Sequence, residues 1–325
     1  MSGFSLSTNV LEARDLAQDK ARLESRLEAY REVEPAAAPP LIIEPGAAAP
    51  MPEEPIVPEV SAEALTGEVL RESIATHGAL IVRDMLPPEQ LASMTSAIDG
   101  VLEACDSPRQ VRNKLANHYF NPPGNIVSIM PDKAEELSAL RVFSAIANSA
   151  LCIESPSIAE MLLEFFEQHG IRDIAKNYLG EDPVLSVKKW VLRRSELPMA
   201  EAGWHQDGAF MGTHINTLNL WIPLTECGGA SGAPGMDLIP QRLTEIQSAD
   251  GATFDWSVSD DQANKTGNRG GPVAPVFNVG DAFFFDHFYL HRTQYREDFT
   301  RLRYAIETWF FGASAFPKSQ VPIAW

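Results

Sequence analysis

The chain has 325 residues, is 45% hydrophobic and carries a formal net charge of −18. That much apolar content supports a sizeable core. So acidic a surface argues against nucleic acid and anionic membrane as partners, and no apolar run reaches the length of a membrane span.

Three widely spaced cysteines, Cys105, Cys152 and Cys227, show neither a disulfide framework nor a zinc pattern. With no apolar run in residues 1–10, they point to a cytoplasmic protein. Residues 1–34 form a helical segment in which Leu16, Leu23, Leu27 and Tyr30 recur at helical spacing. Such a stripe serves either to lie on the main domain or to join copies of the chain in a homo-oligomer. Residues 35–60 are rich in Pro, Ala and Glu and read as an extended linker. Residues 61–325 are then the main domain.

That domain opens with a predicted helix over 62–76, closed by Gly78, and a buried strand at Ala79–Val82. Pro87-Pro88-Glu89 starts a helix that runs to about Cys105, and another covers Ile158–His169. His77 and His169 sit at predicted helix ends, where each reads as a partner of terminal carbonyls. The polar-aromatic stretch 118–125 reads either as pocket lining or as surface loop. From Val184 the texture turns to strands. The first carries four cations, Lys188, Lys189, Arg193 and Arg194. They serve either an anionic ligand or a charged, protected sheet edge.

Trp204-His205-Gln206-Asp207-Gly208 follows. In an extended chain, residues i and i+2 face the same side, so His205 and Asp207 aim two ligands at one point. Further on, Gly280-Asp281 opens an apolar strand through Phe285-Asp286 to His291. Arg303 lies in the return strand. Two histidines and one carboxylate with open positions suit non-haem Fe(II), and an arginine beside them suits an organic acid. His214 and His287 are rival ligands by residue type. The polar, Gly-rich span 248–271 reads either as a lid or as idle surface.

These motifs together resemble the phytanoyl-CoA dioxygenase family of Fe(II)/2-oxoglutarate oxygenases. The match lies in Trp204-His205-Gln206-Asp207-Gly208, Gly280-Asp281, Phe285-Asp286 five residues before His291, and Arg303-Tyr304-Ala305-Ile306. It extends from about Gly78 to Phe311. The resemblance implies a mostly β protein with flanking helices around a double-stranded β-helix (jelly-roll, cupin-like) core. It implies Fe(II) held by His205, Asp207 and His291, with 2-oxoglutarate and O2 as co-substrates and a small organic metabolite as substrate. Arg303, aided by Thr293 and Trp221, would hold 2-oxoglutarate, while Phe210, Met211 and His214 would border the substrate. The family spacing selects His291 over His287, and the pattern Arg-x-Ala-Ile selects Arg303 over Arg301. Gln241-Arg242-Leu243 departs from the Gly-Ser-His common in the family. The resemblance does not fix the substrate. A metal-dependent hydrolase and a non-catalytic metal or 2-oxoglutarate sensor remain the rival functions.

Overall fold

The computed structural model describes residues 11, 13–29, 41–48, 56–106, 118–122, 148–199, 201–267 and 270–325. Residues 35–40 and 49–55 of the predicted linker and residues 123–125 of the polar-aromatic stretch lie outside them. The described helices of seven residues or more are α1 (Leu16–Ala29), α2 (Gly67–His77), α3 (Met94–Asp106), α4 (Pro156–Gln168), α5 (Ile171–Leu179) and α6 (Asp260–Thr266). The first strands are β1 (Glu59–Ser61), β2 (Ala79–Arg83), β3 (Ser149–Leu151), β4 (Pro183–Arg194), β5 (Trp204–His205) and β6 (Thr217–Pro223). The rest are β7 (Met236–Leu238), β8 (Ser257–Val258), β9 (Ala282–Phe285), β10 (His291–Thr293), β11 (Tyr304–Gly312) and β12 (Pro322–Ala324).

Two sheets face each other. The larger runs β1-β2-β9-β6-β11-β4-β12, with β3 added on β4, and the smaller runs β7-β10-β5-β8. All pairings in them are antiparallel except β1 with β2. This is a jelly roll with helices on its outer side. Period-2 alternation in the central strands builds both cores. Leu220, Ile222, Phe284, Ile306 and Phe310 point outward into the helix-covered cluster. Their neighbours Trp221, Phe283, Phe285, Ala305, Trp309 and Phe311 point inward between the sheets. Each fully buried Leu or Phe contributes roughly 1.5–3 kcal/mol, so the alternation fixes the register.

The N-terminal helix lies on the domain. Leu23 and Leu27 of α1 are buried in the outer cluster. Arg26 pairs with the buried Glu160 of α4 at 2.8 Å, and Arg14 bridges Asp19 and Glu164. At the other end, β12 pairs with β4 and Trp325 stacks on Phe310 at 5.4 Å. The long helix expected after Pro87 is broken into a single turn, Pro88–Leu91, and α3. The imidazole of His169 bonds the side-chain Oε1 of Gln90, not a backbone carbonyl at its helix end. Within 118–122 the two aromatic rings face away from the space between the sheets. Tyr119 and Phe120 pack on the outer cluster, and Asn121 donates to the Glu154 carbonyl. No helix among the described residues is long and apolar enough to cross a membrane.

Candidate active site

The smaller sheet sets His205 directly opposite His291, as register partners of β5 and β10. Their ring centroids are 4.4 Å apart. Each imidazole has its Nδ1 3.0 Å from the carbonyl oxygen two residues earlier, Gly203 for His205 and Tyr289 for His291. A carbonyl only accepts, so each Nδ1 carries the proton and each Nε2 keeps its lone pair free. Asp207 completes the group, with Oδ2 3.7 Å from His291 Nε2. One ligand atom from each of the three lies within 4.8 Å of the others.

Asp207 reaches this point by a different route from the one its spacing predicts. The strand ends at His205, and Asp207 sits in right-handed helical backbone (φ −62°, ψ −24°) at the start of the turn Gly208–Met211. Gly208 N–H donates to the His287 carbonyl, and Met211 N–H donates to that of Asp207. Gln206 anchors the stretch on both sides: its amide donates to the Glu245 and Phe288 carbonyls and accepts from Gln247 N–H. A turn, not strand alternation, aims the carboxylate.

Charges line the inner face of the larger sheet. Strand β4 is not an edge, since β11 covers one side and β12 and β3 the other. The reading of its cations as edge protection is therefore overturned. Lys189 Nζ donates to Asp207 Oδ1 at 2.5 Å, and Arg193 pairs with Glu307 of β11 at 2.7 Å. Lys188 and Arg194 instead bind the Ser319 carbonyl and Asp99. Burial alone would raise the Asp207 carboxyl, but Lys189 and the two imidazoles outweigh it and hold it down at about 2. Burial, reinforced by His291, pushes His205 down to about 4. Both ligands are thus in their metal-binding protonation states at neutral pH. Glu307 is also held low: burial opposes its ionisation, but Arg193 and Lys189 prevail.

Arg303, just before β11, is 6% exposed. Its Nη1 donates to the Gly235 carbonyl at 3.3 Å, its Nε has no partner, and the guanidinium lies 5.8 Å from the Trp221 ring. Burial pushes it down to about 10. Arg301, by contrast, is exposed and bonds the Ser231 carbonyl. Thr293 is half-buried in β10, opposite Met236. Trp221 and Met211 are buried in the inner cluster, whereas Phe210 is 39% exposed and His214 is exposed. His287 stays out of the metal group. Its Nδ1 is 2.8 Å from Thr217 Oγ1 and its Nε2 3.2 Å from the Thr213 carbonyl.

Two motif residues are scaffold. Asp281 accepts from Asn278 N–H, Asp84 N–H and Arg83, locking the turn into β9. Asp286 caps Phe288 N–H and forms a buried pair with Arg242 at 2.7 Å. Arg242 is part of the Gln-Arg-Leu departure, so that departure supplies the counterion of Asp286.

The span 248–271 joins the site. Strand β8 pairs with β5, setting His205 opposite Ser257, and Trp256 stands at 90° to the His205 ring at 5.9 Å. Asp260 at the start of α6 accepts from Trp204 Nε1 at 2.9 Å and Arg292 Nη1 at 2.8 Å. These donors adjoin His205 and His291. Sequence reasoning assigned no role to Lys189 in particular, Glu307 or Trp256. For Lys189 the signal was there, in four cations on an otherwise apolar strand of an acidic chain.

The chain is similar to several solved structures, and the likeness to the first of them shows the fold. EctD from S. alaskensis, crystallised with 2-oxoglutarate and 5-hydroxyectoine, is 14% identical over 85% of each chain, with a TM-score of 0.54. EvdO2 from Micromonospora carbonacea var. aurantiaca, complexed with 2-oxoglutarate, is 15% identical over 79% of this chain and 92% of that one (TM-score 0.46). SnoK, a non-heme alpha ketoglutarate dependent carbocyclase from nogalamycin biosynthesis, is 16% identical over 78% and 86% (TM-score 0.45). No curated protein matches the chain. The family model for phytanoyl-CoA dioxygenase (PhyH) matches residues 74–296, more than half of the sequence, and the chain belongs to that family of dioxygenases.

Proposed function

We propose that this protein is an Fe(II)- and 2-oxoglutarate-dependent dioxygenase that hydroxylates a C–H bond of a small organic metabolite. The observation that carries the reading is the buried guanidinium of Arg303, which has no carboxylate partner among the described residues and lies between the same two sheets as the His205–Asp207–His291 group. A dicarboxylate co-substrate would supply that partner in bidentate form. The donor set fits Fe(II): two imidazoles with free Nε2 atoms and one ionised carboxylate. When bound, iron with 2-oxoglutarate and O2 supplies the oxidation: the keto acid leaves as succinate and CO2, and the second oxygen atom enters the C–H bond as hydroxyl.

The chain's own part is to bind and orient. His205, Asp207 and His291 hold the metal, and the Gly203 and Tyr289 carbonyls fix the imidazole tautomers. Lys189 keeps Asp207 ionised. Arg303 takes the distal carboxylate of 2-oxoglutarate, with Trp221 and Thr293 beside it. Phe283, Phe285, Trp309 and Phe311 wall the space between the sheets with apolar surface that excludes water.

A metal-dependent hydrolase would want a poised general base near the metal. The half-buried carboxylate of Glu307 nearby is held ionised by Arg193 and accepts from Trp309 Nε1, which makes it a weak base. The three cysteines are free and buried, consistent with a reducing cytoplasm. Incubation with Fe(II), 2-oxoglutarate, ascorbate and oxygen tests the reading. Succinate should form with the native chain and not with H205A or H291A. A metabolite library should then contain a compound that gains one oxygen atom. A chain that binds iron and 2-oxoglutarate yet yields no succinate with any library compound would be a sensor instead.

A further inference from the structure

The space beside His205 is bounded by an aromatic corner of which the roles above use Phe210 alone. Phe254 and Trp256 stack face to face, 4° from parallel with centroids 4.9 Å apart. Phe210 stands perpendicular to Trp256 at 6.3 Å and 87°, and His205 likewise at 5.9 Å. Phe254 is 52% exposed, and with Phe210 it is one of the few large apolar side chains left open to solvent. Such rings are normally buried.

The corner is held in place. Ser257 Oγ accepts from Phe254 N–H and donates to the Phe254 carbonyl, β8 pairs with the ligand strand β5, and Asp260 ties the following helix to Trp204 and Arg292. It is thus a fixed surface continuous with the metal group, and its segment lies in the chain between the two ligand motifs.

We propose that Phe210, Phe254 and Trp256 form the wall that receives the primary substrate, and that this substrate presents an uncharged ring to it. The proposal rests on the dioxygenase reading for its metal and deepens it. Flat rings in parallel and perpendicular arrangement match a ring by stacking and by edge contact. A cationic group is disfavoured, although aromatic faces attract cations. The Lys189 ammonium, held by Asp207, already lies 4.5 Å from the centre of the Phe210 ring and occupies the place a substrate cation would take.

Calorimetric titration of the full chain, free of iron and oxygen, with 2-naphthol, hexanoate and tetramethylammonium tests the wall. The native chain should bind 2-naphthol saturably and the other two at least about tenfold more weakly. F254A and W256A should each weaken 2-naphthol about tenfold, and W256F should stay within about threefold of native, since it keeps a ring. Melting curves confirm that each variant is folded, and W256F serves if W256A is not. Equal binding by folded W256A or F254A, no saturable binding of 2-naphthol, or tighter binding of tetramethylammonium would each overturn the proposal. Because no turnover is involved, failure here leaves succinate formation untouched, and absence of succinate leaves the wall untouched.

Discussion

Replacing Arg303 by Met should have two opposite effects, and the structure gives the size of each. The guanidinium is 6% exposed with no counterion among the described residues, and burial pushes it from the ordinary arginine range down to about 10. At ~1.4 kcal/mol per pH unit, keeping it charged at neutral pH costs the fold about 3 kcal/mol. The sign follows from linkage: burial favours the neutral form, so below pH 10 the charged group opposes folding. Methionine fills similar space without the charge and forfeits one long bond to the Gly235 carbonyl, worth about 1 kcal/mol. The metal-free R303M chain should therefore melt higher than native by up to about 2 kcal/mol. Charged hydrogen bonds contribute about 1.5–3 kcal/mol each, so losing them should weaken 2-oxoglutarate by at least roughly tenfold. Anaerobic calorimetry of 2-oxoglutarate into Ni(II)-loaded protein, with thermal melts of the metal-free forms, reads both. R301A should bind 2-oxoglutarate as the native chain does. Native-like affinity in R303M, or the larger loss in R301A, would refute the assignment.

Removing the ammonium in K189M takes away the strongest of the charges that oppose burial at Asp207 and leaves only the two imidazoles. The pH midpoint of Ni(II) binding should rise by about one unit or more, because an opposite charge in contact shifts a carboxyl by 1–3 units. The metal-free native chain should lose stability as pH falls from 6.5 to about 4, where the unfolded chain protonates His205 and the folded one does not. The loss is about 3 kcal/mol at most, since His205 is partly exposed, and urea titrations of H205Q should lack that part of the slope. H287A should keep its iron and lose about 2 kcal/mol of stability, because that imidazole serves Thr217 and Thr213; loss of iron would reassign the ligand. G280A should lose about 2 kcal/mol or more in denaturant without a change in metal affinity, since φ is +97° and a Cβ would fall 2.3 Å from the Leu86 carbonyl oxygen.

The larger sheet was legible because alternation declares its faces. Thr217–Pro223 and Tyr304–Gly312 each carry a helix-facing and a barrel-facing set, and a period-2 reading finds both. The smaller sheet was not. Its strands β5 and β8 have two residues each, too few to show a period, and they exist because β10 and the turn at Asp207 hold them. The spacing His-x-Asp therefore located the ligands while misdescribing the backbone between them. His291 could be told from His287 only by family spacing; the fold separates them physically, by giving His287 two threonine partners.

The cations of β4 mark the limit of reading charge without neighbours. Lys188 and Lys189 are adjacent, yet one meets a tail carbonyl and the other a metal-ligand carboxylate, because a strand sends them to opposite faces. On the inner face three cations, Lys189, Arg193 and Arg303, meet two carboxylates, Asp207 and Glu307. The space between the sheets is thus positive inside a chain of net charge −18. A divalent metal would make that excess worse by two charges, and a dianionic keto acid would reverse the addition. The charge balance of the interior accordingly favours metal and dianion together over either alone, and K189M and R303M probe it from its two ends.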